Sequence, residues 1–307
     1  MWRNDIWNTR INQDEVAKAL DQAAVSGVLT VEEIDVVIAD LIEVRNPLRQ
    51  NLMRKGGSGE NWNVTRRTDR GAGAFVNDTE TLNNSNGTYT RTAFPYKTPA
   101  FQGQVTRKAQ AVGRTFGDLL MDEIENGMQV IKDLEEDALI NGDATGSPKE
   151  YDGLKILLDA QAGQTLDLLG TELTLAAMDE AIDLVKGNAD MIITSKRTAR
   201  ELNALNQSKQ RFNDIIEVNG GFRLKTYDGI PIYTSNSISI TEGGGNESRI
   251  YILDTTEVFI GELTPLTFVN LAKTSSQFDA FEIFEDLTLV YKNPVKTSQI
   301  KRIIPAA

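Results

Sequence analysis

The sequence predicts an α+β fold of unlike parts: one long helix, an extended hairpin, and a compact α/β unit that ends in long strands. Three observations carry this. From Thr115 to Asn141 apolar residues recur every three or four positions with no proline among them. Between Gly73 and Phe94, two β-favouring stretches flank an Asn86-Gly87 pair. Beyond about residue 173, helix-periodic and strand-like segments alternate at short intervals, as in a sheet covered by helices.

Taken in order, residues 1–60 read as an N-terminal arm. Asn12 or Asp14 can cap a helix through Val16, Ala19, Leu20 and Ala23, which Gly27 ends. Thr30 and Glu33 form a capping box for a second helix carrying Ile34, Val37, Ile38, Leu41 and Ile42. It stops before Pro47, whose ring disfavours helix at the preceding residue. Arg54, Lys55, the run Gly56-Gly57-Ser58-Gly59, Arg66, Arg67 and Arg70 then read as a flexible basic approach. The glycines make no nucleotide loop. No lysine followed by serine or threonine closes them, and Gly71-Ala72-Gly73 lacks the third glycine of the dinucleotide fingerprint.

Residues 61–110 hold the extended hairpin, with Ala74-Phe75-Val76 expected opposite the strand Thr88 to Phe94 and Asn86-Gly87 as the turn. It is too polar for a core of its own and needs support from a neighbour. Residues 111–172 centre on the long helix, with Thr115 as N-cap, Asp118 near the positive dipole end and Gly142 closing the other. At 1.5 Å per residue it is about 40 Å long, a spine. Phe116, Leu120, Ile124, Met128, Ile131, Leu134 and Ala138 draw its apolar stripe. Asp118, Asp122, Glu123, Glu125, Asp133, Glu135, Glu136 and Asp137, offset only by Lys132, make a face that must meet water or a basic partner. A loop from Gly142 to Gly153 and the apolar segment Leu154 to Leu158 follow.

Residues 173–262 read as the α/β unit. A helix from about Leu175 to Lys186 buries Met178, Ile182 and Val185; the strand Met191 to Thr194 follows; Ser195 caps a helix through Ala199, Leu202 and Leu205. Strands are expected at Phe222 to Thr226, Ile230 to Thr234, Arg249 to Leu253 and Val258 to Ile260, with Asp228-Gly229 turning between the first two and Gly243-Gly244-Gly245 as an exposed loop. In residues 263–307, Phe268 to Asn270, Phe281 to Tyr291 and Lys296 to Ile304 are expected to return as strands.

Composition bounds the chemistry. The 307 residues include no cysteine and no histidine, which removes disulfides, thiolate nucleophiles, the commonest zinc ligands and the usual proton shuttle. The start MWRNDIWNTRINQDE lacks the apolar core of a signal peptide and no later stretch approaches a membrane span, so a soluble product made in the cell is expected. The net charge of −12 argues against a dedicated nucleic-acid binder. It is unevenly spread: residues 1–44 hold three basic and nine acidic side chains, residues 45–114 twelve and four, and residues 115–307 seventeen and thirty-one. The basic insert reads either as solvated surface or as an arm attracted to acidic surface on another copy of the chain.

The order of arm, hairpin, spine helix and α/β unit resembles the major capsid protein family of tailed bacteriophages, whose fold encapsulins share. Met191-Ile192-Ile193-Thr194-Ser195 before a helix, Tyr227-Asp228-Gly229-Ile230-Pro231-Ile232-Tyr233, and Asp152-Gly153-Leu154 after the spine carry the resemblance locally. It implies an N-terminal arm (1–60), an E-loop (61–110) that reaches over an adjacent subunit, a peripheral domain (111–172), an axial domain (173–262) around five- and six-fold positions, and peripheral return strands (263–307). It further implies an icosahedral virion shell of hexamers and pentamers, made in the bacterial host cytoplasm, that changes during maturation. Portal, scaffolding and decoration proteins would be partners. Packaged double-stranded DNA would be held without sequence specificity, through phosphate contacts if Arg45, Arg49, Arg54 or Lys55 face it, intersubunit contacts being an equal use for them. No membrane, cofactor, metal or catalytic residue is implied.

On this reading Arg66, Arg67, Arg70 and Arg91, with Asn86 and Gly87 at the turn, are expected to meet a neighbouring subunit's carboxylates, Glu123, Asp133 and Glu136 of its spine among them. Lysine-asparagine crosslinking, known in the family, is not expected: Lys97, the sole lysine between Tyr89 and Gln104, lies near the hairpin's base. The rival readings are an encapsulin-like shell around a cargo enzyme, a carboxylate-based hydrolase such as a glycosidase, and a monomeric binding module.

Overall fold

The computed structural model describes residues 46–81, 84–112, 118–208, 215–218, 222–243, 245–272 and 277–305. The two arm helices expected within 1–44, the Thr115 cap, Phe116 and Gly244 lie outside the described residues.

The chain begins with α1 (Pro47–Asn51), β1 (Arg54–Gly56), β2 (Asn61–Asp69), β3 (Thr88–Pro95), β4 (Ala100–Thr106), α2 (Arg107–Val112) and the spine α3 (Leu119–Asn141). Next come α4 (Leu154–Asp159), β5 (Thr165–Glu172), α5 (Leu175–Asp183), β6 (Met191–Thr194), α6 (Lys196–Ser208), β7 (Ile215–Val218), β8 (Phe222–Tyr227) and β9 (Ile230–Thr234). It closes with β10 (Ser248–Leu253), β11 (Val258–Asn270), β12 (Phe278–Tyr291) and β13 (Ser298–Ile304).

The spine is one unbroken helix of 23 residues. Its described N-cap is Asp118, whose side chain accepts from the Leu120 N–H at 3.0 Å, so the start lies later than the Thr115 expectation. Gly142 closes it with its N–H on the Ala138 carbonyl at 3.0 Å. The buried face also departs from the expected stripe: Leu134 is 47% exposed, whereas Glu135 and Glu136 are buried with Ile131, Leu139 and Ile140. The last turns are covered from more than one side, by α1 and α4 as well as the sheet below, so burial there is wider than one helical stripe.

The hairpin is real but built differently. β2 pairs antiparallel with β3 from Asn61 opposite Pro95 to Asp69 opposite Thr88. Residues 61–69, expected as a flexible approach, are thus its first strand. Ala74-Phe75-Val76 lies in the connecting loop, and Asn86-Gly87 precedes the second strand without being a two-residue turn. The base is held by the chain's own body: Val64 and Phe94 are buried in the main core, and Trp62 meets Phe259 edge-on at 5.3 Å. Residues 54–56 are likewise an ordered strand, parallel to β11.

Beneath the spine lies a four-stranded sheet in the order β1-β11-β12-β4. The segments expected separately at Val258 to Ile260 and Phe268 to Asn270 are one strand, β11, with register shifts around Pro265 where the ladder tolerates a missing N–H. Gly127 of the spine faces Phe101 and Ile283 so closely that a Cβ there would stand 2.6 Å from the Phe101 ring.

A seven-stranded sheet, β5-β13-β10-β6-β9-β8-β7, forms the α/β unit. The wholly buried β6 and β10 read as apolar runs because both faces are covered. Met178 and Leu202 pack from α5 and α6 into the same core. Ser195 caps α6 as expected, its Oγ accepting from the Thr198 N–H at 3.3 Å. Asp228 (φ 50°) and Gly229 (φ 77°) make the expected tight turn between β8 and β9. β5 was not foreseen. Nor was the place of β13, which joins this sheet between β5 and β10 instead of returning to the spine.

Candidate subunit-contact surface

Alternation along β2 and β3 sets the fate of the ribbon's arginines. Arg66 lies opposite Thr90 and turns inward. Its guanidinium donates to the Tyr291 carbonyl and, at 2.8 Å, to the Lys292 carbonyl, between the rings of Phe94 and Tyr291 at 6.0 and 5.9 Å. Burial lowers its pKa from the usual arginine value. Arg66 therefore anchors the ribbon to the end of β12. The other arginines expected at a contact are Arg67, which covers the Tyr89 ring at 5.1 Å, Arg70 and Arg91. All three are exposed, and none makes an ion pair among the described residues. Asn86 is exposed and Gly87 abuts the Asp69 carbonyl, where a Cβ would come within 3.0 Å. In the same loop Phe75 is fully exposed beside the half-exposed Val76.

The spine acids divide as well. Glu123 is half-buried, and Asp133 accepts from the Asn46 side chain at 2.7 Å. Glu136 is interior, which corrects its expected place on an outer face. It accepts the backbone N–H groups of Leu48 and Arg49 at 3.3 and 3.0 Å and the Ser235 hydroxyl at 3.2 Å. Burial, opposed by these hydrogen bonds and reinforced by Glu135, lifts its pKa to about 7.

The basic partner of this face is in the same chain. Arg49 and Arg54 both bind the buried Glu135, and Arg54 also reaches Glu262 at 3.1 Å and lies 3.7 Å from the buried Glu285. Burial, with the charge of Glu135, raises Glu285 to about 7 as well. One signal could have exposed this cluster in the sequence: Glu135 lies midway between Ile131 and Leu139 at i+4 spacing, on the apolar side of the helix.

Among the described residues no group of acidic side chains is arranged to hold a metal ion, and no helix is long and apolar enough to cross a membrane. The described residues of the ribbon and its loop thus expose Arg67, Arg70 and Arg91, with no ion pair among the described residues, and the side chains of Phe75 and Val76.

Residues 102–303 match the model of a family described as SU10 major capsid protein. No sequence among curated proteins matches the chain. The holo-SrpI encapsulin complex from Synechococcus elongatus PCC 7942 shares the fold with a TM-score of 0.70 and 13% identity, over 92% of this chain and 95% of that one. The capsid of a native GTA particle gives 0.67 and 14%, over 94% and 99%. Mycobacterium phage Bobi gives 0.66 and 14%, over 93% and 98%. At these identities the likeness is one of fold.

Proposed function

The chain belongs to the SU10 major capsid protein family, which makes it a building block of an icosahedral phage shell, and we propose that this shell closes through the β2–β3 ribbon laid over a neighbouring copy. The observation that carries the reading is the ribbon itself: Arg67, Arg70 and Arg91 are exposed without ion pairs among the described residues, and Phe75 and Val76 are exposed beside them. Apart from Arg67 over the Tyr89 ring, these side chains are spread in water. Against an acidic, partly apolar face they become a contact, and the spine offers Glu123 with the exposed Val130 and Leu134. Because each copy carries both halves, the interface is heterologous and closes only through shell symmetry. Hexamers and pentamers, portal, scaffolding and decoration partners, and packaged DNA held without base readout complete the proposal, with synthesis in the host cytoplasm. The fold alone would serve an encapsulin equally; the family match favours a phage shell.

The test is negative-stain electron microscopy with sedimentation on the chain expressed with its neighbouring gene products. Closed shells tens of nanometres across are the expected product. A single exposed pair contributes only about 0–1 kcal/mol, so a double reversal, Arg67→Glu with Arg91→Glu, is needed to abolish them. Unchanged shells from that variant would refute the ribbon contact, and a persistent monomer from the unaltered chain would refute the shell.

A further inference from the structure

We propose that Glu135, Glu136 and Glu285 form a proton-linked latch that holds the strap made of α1 and β1 on the spine while two of the three carboxyl groups keep their protons, and loosens it when they are lost.

Beyond the carboxyl cluster the strap is held by the Asn46 amide on Asp133, by Lys55 over the Phe259 ring at 3.8 Å, and by the contacts that follow. Leu48 and Leu52 are buried, but Gln50, Asn51 and Met53 are exposed, and β1 is a three-residue edge strand paired only with β11. The charged groups facing the cluster are Arg49 and Arg54 from the strap, Glu135 and Glu136 from the spine with Asp133 beyond them at Asn46, Glu262 from β11, and Glu285 from β12. Tyr151, from the loop after the spine, faces the same carboxyl groups. Two guanidinium groups thus meet four carboxyl groups, and Glu135 engages both cations.

Glu285 is left over. It is wholly buried, no donor among the described residues reaches either of its oxygens, its nearest cation stands at 3.7 Å, and the group it can share a proton with is the Glu135 carboxylate. The Tyr151 hydroxyl, on a side chain 3% exposed, is also without a partner. A buried carboxylate with neither hydrogen bond nor cation of its own is costly to ionise, so this arrangement is stable with Glu285 as the neutral acid. Glu136 has three donors, but it is buried beside Glu135 and shares the pressure to stay protonated. Both groups sit near 7 in the closed strap, above the ordinary carboxyl value, so the closed form binds protons more tightly than an open one. Closure is firm below that pH and weakens as pH rises through it.

Amide hydrogen exchange on the full chain reads the latch directly. The reporters are the N–H groups of Leu52, Gly57 and Ile260, bonded to the carbonyls of Leu48, Glu262 and Met53. After correction for intrinsic exchange, their protection is expected to fall about tenfold per carboxyl group between pH 6 and pH 8.5, relative to amides of β6 and β10. Protection independent of pH would overturn the proposal. Glu285→Gln should remove that group's share of the fall, whereas Glu262→Gln, at the solvent side, should leave it whole; a full pH response in Glu285→Gln would also overturn it. Should Glu285→Gln not fold, infrared difference spectra of the unaltered chain decide. A carboxylic-acid carbonyl band lost between the same two pH values supports the latch, and its absence refutes it.

Discussion

Glu136 of the spine accepts the backbone N–H groups of both Leu48 and Arg49, so a carboxyl group from one helix caps the first turn of another that lies nearly ninety residues earlier in the chain. The local cap position, Asn46, makes no capping bond and gives its amide to Asp133. Orphan N–H groups at a helix start need an acceptor, and here tertiary structure supplies it.

Glu136→Ala is therefore expected to destabilise the chain by about 2–3 kcal/mol, since one buried and one part-buried backbone donor lose their acceptor and a void opens. Glu136→Gln keeps an acceptor and should cost about 1 kcal/mol or less. Urea unfolding of both variants, compared at equal m-value, checks the difference.

Tyr151→Phe should act in the opposite direction. Its buried hydroxyl has no hydrogen bond to lose and faces the carboxyl groups of Glu135 and Glu285. Removing it relieves a desolvated polar group, and a gain of about 1 kcal/mol is expected from the same unfolding assay. A loss of that size would mean the hydroxyl has a partner.

Gly127→Ala sets two effects against each other. Helix propensity favours alanine by about 1 kcal/mol. The added Cβ would stand 2.6 Å from the Phe101 ring and 3.1 Å from the Ile283 side chain, and overpacking in a filled core costs about 1–3 kcal/mol. The packing penalty is the larger, so a net lowering of the thermal midpoint is expected.

Stability should also have a definite pH course. Glu136 and Glu285 titrate near 7 when folded, against 4.5 for an ordinary glutamate, so the folded state holds extra protons between these values. Stability then falls as pH rises through that window. Asp159 and Glu242 run the other way: burial pushes each up, but hydrogen bonds from Arg249 outweigh it and hold both below the ordinary range. Their contribution is present above the ordinary carboxylate pKa and is lost as pH falls through the folded value. Denaturant midpoints from pH 4 to 9 should therefore peak on the acid side of neutrality, near pH 5.

How far the sequence foretold this depends on how local the cause is. The Asp228-Gly229 turn, the Ser195 cap and the buried strand Met191 to Thr194 follow from neighbouring residues and were legible. β2 was hidden because, of its nine residues, only Val64 is buried, so no apolar alternation marks it and only pairing with β3 defines it. β11 was broken in two by Gly261 and Pro265, which the long β12 partner overrides. At the candidate contact surface, charge counting revealed that a basic stretch must meet acid. It could not say whose. Arg49 and Arg54 find Glu135 in their own chain, 86 and 81 residues away, while Arg67, Arg70 and Arg91 stay exposed and make no ion pair among the described residues.

The position of β13 bears on how the chain comes to be folded. Among the described residues it is the sole link in the ladder between β5 and the rest of the seven-stranded sheet, pairing parallel with one neighbour and antiparallel with the other. Until residue 304 has left the ribosome, β5 has no partner and β10 presents a bare edge. Such edges template pairing with other chains, and non-local parallel pairing is slow. The sheet can therefore close only once β13 has been made, and a chain stopped before Ser298 would leave these edges open to pairing with other copies.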